Sequence, residues 1–178
     1  MEFLLFGKMA LFGDVMKQPL RILFDTNVYG ILAEEASPAL LGKMETSENV
    51  IIYGFSLVRK ELRDTPKNLV QKGRKFRNIL LNYYDNLTAD HDLQLTKLVQ
   101  VLAEEYLKNY SGGISKNKLR GDFTIVACAS FNHLDILVSE DNHSMLSKKA
   151  IDAYNKVNAE NGLRTPSFYS IKQLESLL

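Results

Sequence analysis

With 178 residues, 46% hydrophobic and 24% charged, and 10 glycines and 4 prolines in all, the chain fits one domain and shows no bias towards disorder. One cysteine, Cys128, excludes an internal disulfide framework, and no run approaches the roughly 20 apolar residues of a membrane span, so a cytoplasmic protein is expected. The formal charge of +1 hides a segregation: 59–77 carries eight basic residues against Glu61 and Asp64, a net +6 that leaves −5 for the rest of the chain. A solvated helix face and a strip for a polyanion explain that stretch equally well.

In chain order, residues 1–18 read as an N-terminal extension and 19–178 as the folded domain. Met1 to Met9 is apolar but interrupted by Lys8, with Glu2 where a signal peptide would be positive. Arg21-Ile-Leu-Phe ending in Asp25 is a buried-strand pattern. Asn27–Glu35 reads as a helix broken at Ser37-Pro38, and Val50–Phe55 as a second buried strand. Ser56 is the expected N-cap of a short helix carrying Glu61. Two long amphipathic helices follow, the first with Leu69, Val70, Phe76, Ile79, Leu80, Tyr83 and Tyr84, the second with Leu95, Leu98, Val99, Leu102, Tyr106 and Leu107. Their tyrosines, at helical spacing, are expected in the core.

After the turn at Ser111-Gly112-Gly113, Asp122 is expected to open a helix of apolar and small residues reaching Phe131, with Cys128 as a core side chain. Leu134–Ser139 is a third strand with Glu140-Asp141 at its end. A helix from about Met145 to Val157, a Ser167–Tyr169 strand and a terminal helix complete the chain. Strands alternating with helices predict a three-layer α/β/α sandwich around a mostly parallel sheet.

In such a sheet ligands bind outside the carboxyl ends of the strands. Asp25 and Asp141 stand at two of those ends, Asp122 begins the helix feeding the third strand, and Glu61 lies on the helix after the second. Each alone is explained as a turn, cap or surface residue. Together, four carboxylates in one pocket repel one another, so either their pKa values rise or a cation neutralises them. Oxygen donors favour Mg²⁺ or Mn²⁺ over zinc, and His91, His133, His143 and Cys128 supply no zinc set. His143 is expected at the surface. One or two ions held by Asp25, Asp122 and Asp141 would serve phosphodiester hydrolysis, with Glu61 completing the shell or orienting water. Lys116, Lys118 and Arg120, and then Lys60 and Arg63, are the expected cations for an RNA backbone.

Ile22-Leu-Phe-Asp25-Thr26-Asn27-Val28, Ser56-Leu-Val-Arg-Lys-Glu61-Leu62, Gly121-Asp122-Phe-Thr-Ile-Val-Ala-Cys-Ala129 and Ile136-Leu-Val-Ser-Glu-Asp141 occur in an order and spacing that resemble the PIN domain family. The resemblance covers roughly 20–175. It implies a metal-dependent endoribonuclease with Asp25, Glu61, Asp122 and Asp141 as its catalytic and metal-binding acids and Asn27 and Ser139 as supporting polar residues. It also implies RNA as substrate and, in many prokaryotic members, a toxin held by an antitoxin protein; a homodimer is expected as well. The extension and the long helical pair of 67–110 depart from minimal toxins, and Glu140 adds an acid beside Asp141. A non-catalytic nucleic-acid-binding protein of the same fold is the main alternative. A phosphatase using an aspartyl nucleophile is disfavoured because Asn27 stands where a second aspartate is needed.

Overall fold

The computed structural model describes residues 18–35, 38–71 and 73–178. The extension up to residue 17, Ser37 of the expected break and Lys72 of the basic stretch lie outside the described residues. Five strands form one parallel sheet in the order β5-β2-β1-β6-β7: β1 (Leu20–Phe24), β2 (Val50–Phe55), β5 (Asp92–Leu93), β6 (Ile136–Val138) and β7 (Ser167–Tyr169). Ile22, Leu23 and Phe24 of β1 and all of β6 are buried, as strands covered on both faces must be. Helices α1 (Thr26–Glu35), α2 (Pro38–Thr46) and α3 (Ser56–Asp64) pack on α4 (Phe76–Thr88); α6 (Lys116–Phe131) and α7 (Lys148–Glu160) pack on α5 (Lys97–Asn109). This is the expected sandwich. A short α8 (Ile171–Glu175) ends the chain. No helix among the described residues is long and apolar enough to cross a membrane.

Several expectations are corrected. The break after Glu35 falls where expected, but a further helix follows it: Pro38 opens α2, because proline lacks only a donor that the first helical position leaves unpaired anyway. Ser56 is not an N-cap: Phe55 takes that place without a side-chain bond, and the Ser56 hydroxyl accepts from Leu95 N at 3.0 Å. The first long helix begins only at Phe76. The residues before it form a hairpin of β3 (Val70–Gln71) and β4 (Arg74–Lys75), turned by Gly73 at φ +75°, with Leu69 and Val70 exposed where helical periodicity placed them in the core. β5 is too short to be announced by any pattern. α7 starts at Lys148, capped by Ser147, rather than near Met145.

The most consequential correction is α6, which starts at Lys116, so Asp122 is an interior helical residue and not a cap. Cys128 is in the core, as are Tyr84, Tyr106 and Tyr110, while Tyr83 is partly buried.

Candidate active site

Asp25 leaves the central strand at its carboxyl end, its N–H still bonded to Val138 O at 2.9 Å on the neighbouring strand. The side chain is only 5% exposed. Its Oδ1 accepts from Thr26 N at 2.7 Å and its Oδ2 from the Ser139 hydroxyl at 2.7 Å. Burial pushes this carboxyl up to about 7, and the negative charges of Asp122 and Glu61 add to the rise against the two hydrogen bonds.

Glu61 points from α3 to the same place. The Thr26 hydroxyl donates to its Oε2, so the residue after Asp25 ties the second acid to the first. Helix α6 crosses beside it at Gly121, where a Cβ would stand 3.3 Å from Glu61 Oε1. A glycine inside a helix costs about 1 kcal/mol relative to alanine; here it lets the helix bearing Asp122 approach the glutamate.

Asp122 and Asp141 meet on Ser144. Its hydroxyl lies 2.5 Å from Asp122 Oδ2 and also contacts Asp141 Oδ2. Burial raises the Asp122 carboxyl, with the charges of Asp141 and Glu61 adding to it and the Ser144 bond opposing. Burial also pushes Asp141 upward, but the Ser144 hydroxyl and the backbone N–H groups of Ser144, His143 and Met145 outweigh it, and Asp141 ends below the ordinary aspartate range. Ser144 has one O–H proton and two carboxylate neighbours.

Ser139 closes the arrangement: besides donating to Asp25, it accepts from Asp141 N at 3.1 Å and Asn27 Nδ2 at 3.4 Å. Asn27 Oδ1 in turn accepts from Glu140 N at 3.5 Å. The Glu140 carboxylate faces elsewhere, accepting from Ile171 N at 2.8 Å at the start of α8. Of the adjacent pair, Asp141 is the one turned to the site.

Thus Asp25, Glu61, Asp122 and Asp141, with Asn27 and Ser139, occupy one neighbourhood at the carboxyl rim. Among the described residues none of the four acids makes an ion pair; the cations that do pair have other partners. Nor do any three Asp, Glu, His or Cys side chains among the described residues stand close enough to ligate one ion. The expected triad of Asp25, Asp122 and Asp141 is interleaved with hydroxyls instead. The donor chemistry still suits a hard divalent cation, because Mg²⁺ is commonly held by one or two carboxylates, water and substrate phosphate rather than by a protein cage. Asp122 and Asp141, whose oxygens reach the same hydroxyl, form such a pair.

Sequence reasoning missed Thr26 and Ser144. A signal existed for Ser144, since an aspartate followed by small polar residues two and three positions later is an Asx-turn pattern that brings that hydroxyl to the aspartate. Nothing local marks Thr26, whose partner is 35 residues away.

The expected cations divide. Lys118 lies on α6 one turn before Asp122, hence on the same helix face, and is exposed, as is Lys116. Arg120 is ion-paired to Glu104. Lys60 and Arg63 are exposed on α3, whereas Arg59 is fixed to Asp85 at 3.1 Å and lies 5.9 Å over the Tyr84 ring. Arg74 and Lys75 of the hairpin share a depression of about 740 Å³ with Ala33. Ala33 lies seven residues beyond Thr26 on α1, about 10 Å along the helix, so the hairpin sits away from the acids.

No family model matches the chain, and no curated protein does. Among solved structures the chain is similar to one described as "Structure of FitAB bound to IR36 DNA fragment", with 18% identity, 84% of this chain and 94% of that chain covered, and a TM-score of 0.51. The likeness concerns the fold, which is PIN-like.

Proposed function

We propose that the protein is a metal-dependent endoribonuclease, hydrolysing RNA phosphodiester bonds at Asp25, Glu61, Asp122 and Asp141. One observation carries this reading: four carboxylates from four separate segments converge, two of them raised in pKa, and among the described residues no protein cation forms an ion pair with them. A cluster that concentrates like charge in a buried place, against its own stability, is the mark of a functional site.

Asp122 and Asp141 would hold Mg²⁺ or Mn²⁺, with Asp25 beside them. When bound, the ion supplies a charge sink for phosphate oxygens and lowers the pKa of water. Thr26 orients Glu61, Ser139 orients Asp25, and Ser144 keeps Asp122 and Asp141 in register. Exposed Lys116 and Lys118, then Lys60 and Arg63, are the cations proposed to position the RNA backbone, with Arg120 shared between that role and Glu104. A cytoplasmic toxin held by an antitoxin protein and built as a homodimer is the narrower form of the proposal. Leu98, exposed on α5 outside the groove between α5 and α6, is apolar surface such an interface would bury.

The test is cleavage of single-stranded RNA in Mg²⁺ or Mn²⁺, in EDTA, and by the Asp25→Asn protein. Cleavage should require the ion and fall by roughly 10²–10³ or more in the variant. If wild type and variant bind RNA alike and neither cuts it with either ion, the protein is a non-catalytic binder of this fold.

A further inference from the structure

Beside the acids runs a groove of about 710 Å³ between α5 and α6, closed at one side by Leu57. It adjoins the candidate site through Leu57 and Gly121. Leu57 and Glu61 are one turn apart on α3 and share a face. Gly121, which lines the groove, is the residue a Cβ would press against Glu61, and Asp122 follows it.

The walls of the groove are of two kinds. Leu57 and Leu95 supply apolar surface, and Gln100 and Asn117 supply exposed side-chain amides, each with a donor and an acceptor. Its acids are neutralised in place, Glu104 by Arg120 and Glu105 by Lys108 at 2.6 Å. Lys97, also in the lining, has no ion pair among the described residues. Helices α5 and α6 run back past one another, bridged by the Glu104–Arg120 pair, so Lys97 stands at one end of the groove and the paired Lys108 at the other, while the exposed Lys116 and Lys118 flank the lining residue Asn117 on α6 without lining the groove themselves. The unpaired Lys97 at one end, Lys116 and Lys118 flanking Asn117, and walls whose acids are already paired are complementary to a strand of phosphates.

We infer that this groove carries single-stranded RNA past the acids and that Gln100 and Asn117 read an unpaired base next to the phosphodiester to be cut. The inference rests on the nuclease reading in placing that phosphodiester at the acids. An unpaired base offers apolar faces to Leu57 and Leu95 and a hydrogen-bonding edge to the two amides; in an A-form duplex the edges in the deep, narrow major groove are beyond side-chain reach. The volume lies within the roughly 300–1,000 Å³ typical of pockets that enclose a small ligand.

The experiment is fluorescence anisotropy on the full chain in EDTA, where nothing is cut, using labelled eight-nucleotide RNAs of adenylate, cytidylate or uridylate. The wild type should separate the best from the worst by at least about fivefold, and Gln100→Ala with Asn117→Ala should bring all three within about twofold. Lys97→Ala should weaken all three about equally and lower the salt slope by about 0.7. Because Gln100, Asn117 and Lys97 are all exposed, the melting temperatures should not move. Selective binding that the double variant abolishes upholds the groove whether or not the protein cuts RNA. A wild type that binds the three alike, or a double variant that keeps the spread, overturns it, and metal-dependent cleavage observed alongside would leave the nuclease reading standing.

Discussion

The acidic rim and the basic hairpin stretch treat charge in opposite ways. At the rim, like charges from four segments are drawn together, partly buried, and satisfied by Thr26, Ser139 and Ser144 rather than by cations. Among the described residues of 59–77, Lys60, Arg63, Lys67, Arg74 and Lys75 are exposed, Arg59 pairs with Asp85 and Arg77 donates to Arg63 O. The second arrangement is cheap, because water solvates each charge at almost no cost to the fold. The first opposes folding unless something from outside supplies positive charge. The region with the larger net charge is therefore the less informative about function.

The largest effect that sharpens this contrast is in stability against pH. Asp25 has a folded pKa near 7 against 3.8 in the unfolded chain, so the folded state binds its proton more tightly. The stability this contributes is present below about pH 4 and is lost as pH rises to about 7, by up to roughly 4 kcal/mol. Urea unfolding of wild type and Asp25→Asn in EDTA from pH 4 to 8 should diverge in that window, the variant showing the flatter profile. Parallel profiles would mean that Asp25 is not the strained acid it is taken to be.

A smaller effect should separate stability from activity at Gly121. Gly121→Ala removes a helix-interior glycine, worth up to about 1 kcal/mol of added stability, while its Cβ, 3.3 Å from Glu61 Oε1, obliges the glutamate to shift. The melting temperature should hold or rise while cleavage falls several-fold. Unchanged cleavage would show that the position of Glu61 is not critical. The smallest effect belongs to the hairpin: Arg74→Ala with Lys75→Ala should leave cleavage within about twofold and produce no resolvable change in melting temperature. A large loss there would reverse the contrast and make the basic stretch part of the working surface.

Much of the scaffold was legible along the chain. Val50–Phe55 falls where the run of apolar residues places it, because a buried strand announces itself locally, and the half-buried edge strand Ser167–Tyr169 also falls where expected. The hairpin at 70–75 did not, since Leu69 and Val70 happen to continue the helical spacing of Phe76 onward while standing exposed. The start of α6 at Lys116 was missed, and Gly121 stands inside the helix, where its lack of a side chain allows the close approach to Glu61.

What the sequence determined by itself was the α/β/α class and the candidate acids Asp25, Glu61, Asp122 and Asp141, since strand ends and helix faces follow from local periodicity. Only the tertiary structure decided which hydroxyl serves which acid, that Asp141 rather than Glu140 turns to the rim, and that the hairpin cations Arg74 and Lys75 lie apart from it. The reason is physical. Periodicity reports which face of an element is buried, whereas the pairing of Thr26 with Glu61 or Ser144 with Asp122 depends on how distant elements cross, and no residue records that crossing by its type alone.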